Sequence, residues 1–321
     1  MSISEPLYRL LSYNVGGDRQ MHSRWVGFRG ELDAVGTLLE RADVKKLLSG
    51  GVFLPAVQKA EALDNPVYFT IIKSSELIES YVPLYHAVSQ IGCKALYLIT
   101  FDDSLPFENW PLTDIMNCGV KLPVPEMSLF KYAGDEGFVI CERGLPELSS
   151  EYQKSRRSGA RTQIAFKDYP MNGVLDVFEG PNLRALYVER LIFDGLLGYG
   201  VYRGIPADID SVIVNGDGNM VLAEIKEKDL SKRTPIGFGM DVRRRDSLLK
   251  MQRLTGLPLW YIVREVNNQS DREFVGWHGV SLDRFARETK HAAVVEGGEG
   301  MRHAGSSNLT VVCGVEHFRP L

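Results

Sequence analysis

Asp210, Glu224 and Lys226 are the residues of this chain whose types and spacing suit a reaction. ADIDSVIV (207–214) and MVLAEIKEK (220–228) read as strands, and NGDGN (215–219) between them carries turn chemistry, so the pair is expected to form a hairpin. Residues two apart on a strand share a face, which puts Glu224 and Lys226 on one side, about 6.6 Å apart along it. Val221, Ala223 and Ile225 then point the other way. A strand buried on both faces would not place Glu, Lys and Lys at 224, 226 and 228, so one end of this strand is expected to meet solvent or a polar cleft. Two carboxylates on adjacent strands can hold one hard divalent cation through oxygen, leaving positions open for water and substrate. A lysine beside them can orient that water and stabilise charge on phosphate oxygens. Such a set is the minimum equipment for cutting a phosphodiester with magnesium.

An E-x-K triplet alone is weak, since roughly one is expected by chance in a chain of ordinary composition. A second one, Glu288 and Lys290, lies on a helix-like polar stretch with no apolar strand before it, and GELD (30–33) opens a helical pattern with no E-x-K strand after it. The triplet at 224 stands apart through its context. PNLRALYVERLIFDGLLG (181–198) reads as a helix with Pro near its start and Gly at its end. GYGVYRG (198–204) begins an extended segment, and the hairpin follows. Residues 240–255 read as a helix ended by Gly256, and LPLWYIVREV (257–266) as another apolar strand. The order is helix, three strands, helix, strand. Asp208, in DID, competes with Asp210 as the ligand on the first strand, although only Asp210 runs directly into the apolar stretch.

Residues 181–266 resemble the PD-(D/E)XK nuclease superfamily, which has the restriction-endonuclease-like fold. PADIDSVIV followed by VLAEIKEK is similar to its metal-binding motifs, with Asp210, Glu224 and Lys226 in the D, E and K positions. The resemblance implies an α/β fold with a C-terminal αβββαβ core, a mixed sheet flanked by helices. It implies Mg2+, with Mn2+ as a substitute, held by Asp210, Glu224 and the carbonyl of Ile225. Glu189 on the preceding helix fits a further catalytic carboxylate, and Gln252 a polar site residue on the later helix. Pro206 stands four residues before Asp210 rather than next to it, a departure from the motif.

The chain has 321 residues, 44% hydrophobic and 24% charged, an average composition that excludes fibrous and wholly disordered classes. No apolar run is long enough for a membrane span, and MSISEPLYRLL lacks the pattern of an export signal. Four scattered cysteines without CxxC spacing argue against a zinc knuckle and fit a reducing compartment, so a cytoplasmic location and no membrane partner are expected. Charge is uneven: residues 1–150 carry a net −6, the remainder +2, and residues 225–253 alone +5. Lys228, Arg243, Arg244 and Arg245 in that window are candidates for gripping a nucleic-acid backbone, double-stranded DNA first, with a solvated helix face as the equal rival.

A polar, basic stretch, Leu145–Gln163, is the candidate linker between a separate N-terminal α/β domain (1–150) and the nuclease-like domain (151–321). In the first, Arg29–Leu48 has helical spacing, residues 74–92 a second helical pattern interrupted at Pro83, and Lys94–Phe101 reads as a buried strand. Residues 105–126 read as long loops, and Val295–Asn308 as a loop before a final strand, LTVVCGV. The acidic first domain is expected to recognise a partner, a regulatory ligand or a specific site, or to mediate oligomerisation such as a homodimer, rather than to be a general DNA-binding platform. The expected activity is an endonuclease leaving 5′-phosphate and 3′-hydroxyl ends. The alternatives are an RNA-directed nuclease and a non-catalytic nucleic-acid-binding or assembly protein on a degenerate nuclease fold.

Overall fold

In the computed structural model, residues 3–13, 18–55, 61–115, 120–148, 181–197, 206–232, 234–296 and 309–321 are described. Contacts divide the chain into two units, Met1–Trp25 with Gly51–Asp208, and Val26–Gly50 with Ile209–Leu321. Both are α/β, and the strands of each pair in parallel as well as antiparallel. The two units interleave along the sequence, since residues 26–50 group with the C-terminal part of the chain. Of the candidate linker, residues from 149 onward lie outside the described ones, as does the extended segment at 198–204.

Helix α1 (Ser4–Tyr13) belongs to the first unit, and helix α2 (Asp18–Leu39) runs from the first into the second. Strand β1 (Val44–Leu54) follows. Here the structure corrects the sequence reading: residues 44–48 continue the helical spacing of 29–39, yet they are a strand. Gly50 explains part of this, because a Cβ there would sit 1.6 Å from the Ile209 carbonyl oxygen, so only glycine lets the two backbones approach.

In the first unit the end of β1 pairs antiparallel with β2 (Val67–Lys73), which lies parallel to β3 (Ala95–Phe101). Every residue of β3 is buried, as its unbroken apolar run predicts. The parallel crossover carries helix α3 (Val82–Ser89), where Pro83 stands in the first turn and starts the helix rather than interrupting it. Short strands β4 (Leu112–Thr113) and β5 (Leu122–Pro123) punctuate the expected loops, while β6 (Met127–Tyr132) pairs antiparallel with β3 and β7 (Phe138–Ile140) antiparallel with β6. Helix α4 (Pro181–Arg190) is followed by a π-helical turn, Leu191–Leu196, and the Tyr187 hydroxyl donates to the Pro123 carbonyl at 2.8 Å.

Strand β8 (Ala207–Asn215), which belongs to the second unit from Ile209 onward, and β9 (Met220–Lys228) form the expected antiparallel hairpin. The turn is built by Asn215, whose side-chain oxygen accepts from the Asp217 and Asn219 amides, and by Gly218 at φ 83°. Strand β10 (Gly237–Asp241) precedes helix α5 (Val242–Thr255), so Met240 and Asp241 are strand where the sequence suggested helix. Gly256, at φ 68°, ends α5 as expected. Strand β11 (Leu259–Val266) lies parallel to β9 and antiparallel to β12 (Phe274–Ser281). Helix α6 (Leu282–Glu288), β13 (Val295–Glu296), β14 (Leu309–Gly314) and β15 (Arg319–Pro320) complete the unit. Strand β10 does not join β8 and β9; it pairs with β14 in a separate three-stranded sheet with β13.

Alternation sorts the two faces of β9 and β11. Ala223, Ile225 and Ile262 pack against Ala34 and Leu38 of α2. On the same face Arg264 donates to Asp33 of α2 and to Glu227, each at 2.9 Å, and Arg272 donates to Glu227 at 2.7 Å. Glu224, Lys226 and Tyr261 occupy the opposite face, where Tyr261 stacks edge-on against Phe285 of α6 and donates to the Gly239 carbonyl at 3.0 Å. No helix among the described residues is long and apolar enough to cross a membrane.

Candidate metal and phosphate site

The β8–β9 ladder ends at Ser211 opposite Ala223. One step further along the same register Asp210 stands opposite Glu224, and the backbone pairing gives way to a side chain: Oδ2 of Asp210 accepts the Ile225 amide at 2.6 Å. The carboxylate thus takes the place of a strand partner. In a strand the N–H and C=O of one residue face the same edge, so the Ile225 carbonyl shares the Asp210 side of β9.

Lys226 completes the contact expected of it. Its ammonium lies 3.1 Å from Asp210 Oδ2 and 3.1 Å from Glu224 Oε1. The side chains of Asp210 and Glu224 are only 4% and 2% exposed, whereas that of Lys226 is 37% exposed, so the pocket opens to solvent at the amine. Burial alone would lower the Lys226 pKa, but the two carboxylates overcome it and hold the ammonium well above its ordinary range. Lys226 is therefore a cation across the neutral range and acts as a hydrogen-bond donor there, not as a proton acceptor.

Asp208, two residues before Asp210 on the same strand, contributes a third carboxylate. Oxygens of Asp208, Asp210 and Glu224 all lie within 4.8 Å of one another. Three hard oxygen donors grouped in this way could hold a metal ion. The sequence reading kept Asp208 as a competitor of Asp210; the structure brings both to the same place.

Arg244, one of the expected backbone-gripping residues, reaches inward. Its Nε donates to Glu224 Oε1 at 2.9 Å and its Nη2 to Glu224 Oε2. The position is set by the start of α5, where the Asp241 carboxylate caps the helix by accepting the Arg244 amide at 3.1 Å. The charge run gave no signal of this contact, because basic residues at a helix start read equally well as a solvated face.

The remaining candidates fall elsewhere. Arg243 is exposed, and Arg245 pairs with Asp246 at 2.8 Å. Lys228 shares the Glu224 face; burial and the neighbouring Lys226 charge push its pKa below the ordinary value. Gln252 is used for fastening: its amide nitrogen donates to Asp283 of α6 at 2.7 Å and its oxygen accepts the Leu259 amide at 3.2 Å. Glu189 belongs to the first unit, on α4, where it pairs with Arg190. His278 bonds Glu265 at 2.6 Å and packs on Phe238.

No protein-family model, curated protein or solved structure matches the chain.

Proposed function

We propose that this protein is a magnesium-dependent endonuclease of the PD-(D/E)XK type acting on DNA. The observation that carries the reading is the convergence of three carboxylates, Asp208, Asp210 and Glu224, with the Lys226 ammonium bridging Asp210 and Glu224. Asp210, Glu224 and the Ile225 carbonyl would hold Mg2+ or Mn2+, with Asp208 as a further oxygen donor. The ion, when bound, supplies Lewis acidity toward a phosphate oxygen and lowers the pKa of a coordinated water.

The chain's own part is positional and electrostatic. Lys226 holds the Asp210 and Glu224 carboxylates, and Arg244 holds Glu224 as well. Lys226, always protonated near neutrality, donates to the attacking water or to a phosphate oxygen as negative charge grows there. In-line attack of water on phosphorus breaks the bond to the 3′ oxygen, which takes up a proton, leaving a 5′-phosphate and a 3′-hydroxyl. Arg243, exposed at the start of α5, would meet the backbone, and affinity would fall steeply with salt. Cutting both strands calls for two such centres, hence a homodimer.

The Arg244–Glu224 contact favours a second reading, a binding-only protein whose carboxylates are permanently neutralised by their own cations. Incubating purified protein with supercoiled plasmid, linear duplex, single-stranded DNA and RNA in Mg2+ or Mn2+ separates the two. Metal-dependent cleavage that Glu224→Gln abolishes supports the enzyme. Binding to DNA with no product under any condition supports the second reading, and preferential loss of RNA redirects the substrate.

A further inference from the structure

Both oxygens of Glu224 already face cations supplied by the protein. Lys226 stands 3.1 Å from Oε1, and the Arg244 guanidinium lies across both oxygens. The cluster sets the carboxylates of Asp208, Asp210 and Glu224 against the cations of Lys226 and Arg244, and Glu31 beside Lys226 and Lys228 beside Glu224 add one charge of each sign. Its deficit is one positive charge, and a divalent ion brings two. With Arg244 withdrawn the deficit becomes two, which a divalent ion meets. Like charges crowded in a poorly solvated pocket repel strongly, so the guanidinium and a divalent ion compete for Glu224.

Arg244 is the more accessible partner in its pair with Glu224. Its side chain is 20% exposed, against 2% for Glu224, and its backbone is held at the capped start of a 14-residue helix. The long side chain can turn while the helix stays in place. The group that best replaces a carboxylate in a guanidinium fork is a phosphate, which offers two oxygens in the same geometry. A phosphodiester arriving at Glu224 therefore offers Arg244 an equivalent partner.

Resting on the reading of Asp208, Asp210 and Glu224 as a cation site, we propose that Arg244 is a displaceable counterion of Glu224. It weakens divalent-cation binding in the free protein and moves to a substrate phosphate when nucleic acid binds. Cation and DNA then bind with positive coupling, and by linkage each strengthens the other by the same factor. Arg244 is a positioning residue acting through Glu224, and it keeps the centre poorly loaded until substrate is present.

Mn2+ binding, measured by calorimetry on the whole protein with and without a short non-cleavable phosphorothioate duplex, tests this. The expected result for the wild type is weak binding alone and binding tightened about tenfold or more by duplex. Arg244→Gln binds Mn2+ tightly without duplex and gains little from it. Arg244→Lys keeps a charge but loses the fork, and falls between; it carries the comparison alone if Arg244→Gln fails to fold. Equal Mn2+ affinity and equal duplex effect in wild type and both variants overturn the counterion role while leaving the cation site standing. No Mn2+ binding by wild type in either condition, matching Glu224→Gln, overturns the site itself and the inference with it.

Discussion

Lys226 is pulled in two directions: burial disfavours its charge, and Asp210 and Glu224 favour it more strongly. Its pKa is raised in the folded state, so the stabilisation is fully present below the ordinary value of 10.5 and is lost as pH rises through the folded value. Lys226→Met should therefore be less stable than wild type at pH 8, and urea unfolding should show the gap closing on the alkaline side. Lys228 has the opposite sign. Its ammonium is disfavoured on folding, so wild-type stability gains as pH climbs toward 10.5, and Lys228→Met should lack that gain in a melting series. At this scale strand alternation made the shared face of Glu224 and Lys226 legible, whereas alternation leaves Asp208 and Asp210 as rivals and only the apolar run after Asp210 and the nuclease resemblance favour Asp210. The Arg244 contact was not legible, since it depends on where α5 begins relative to β9, and that is a tertiary fact.

The hairpin is the element that makes the site, and it was readable from its residues. Apolar alternation on both arms and Asn-Gly-Asp-Gly-Asn between them leave few other structures for 207–228. Strand β1 shows the limit of such reading, because Leu47 and Leu48 extend a helical spacing and paired glycines weaken any strand signal. What decides the strand is its long-range neighbours, β2 by pairing and Ile209 by the close approach at Gly50. Gly50→Ala should push β1 from β8 and disturb Asp210, costing about 1 to 3 kcal/mol in denaturant unfolding together with weakened Mn2+ binding. At the other end of the site, Asp241→Ala removes the cap of α5 and should cost about 1 kcal/mol, with Asp241→Asn largely neutral.

The second unit is assembled from distant parts of the chain: the Asp33–Arg264 bond joins residues 231 positions apart. Neither composition nor local period carries that information, so the interleaving of the two units was not legible in the sequence. Residues 26–50 contribute the α2 face that covers Ala223, Ile225 and Ile262. A fragment of residues 151–321 should accordingly lack cooperative thermal unfolding, because that apolar face and the Arg264–Glu227 pair would lose their cover. The whole chain should melt higher in excess Mn2+, by mass action on the folded state, and Asp210→Asn with Glu224→Gln should erase the rise.

The most direct measurement is Mg2+-dependent conversion of supercoiled plasmid by wild type and by Lys226→Ala, the latter shown to be folded by its melting curve. The account predicts nicked and linear products with 5′-phosphate ends from the wild type, and a rate lower by about a hundredfold or more in the variant. A folded Lys226→Ala protein that cuts as fast as the wild type would contradict it.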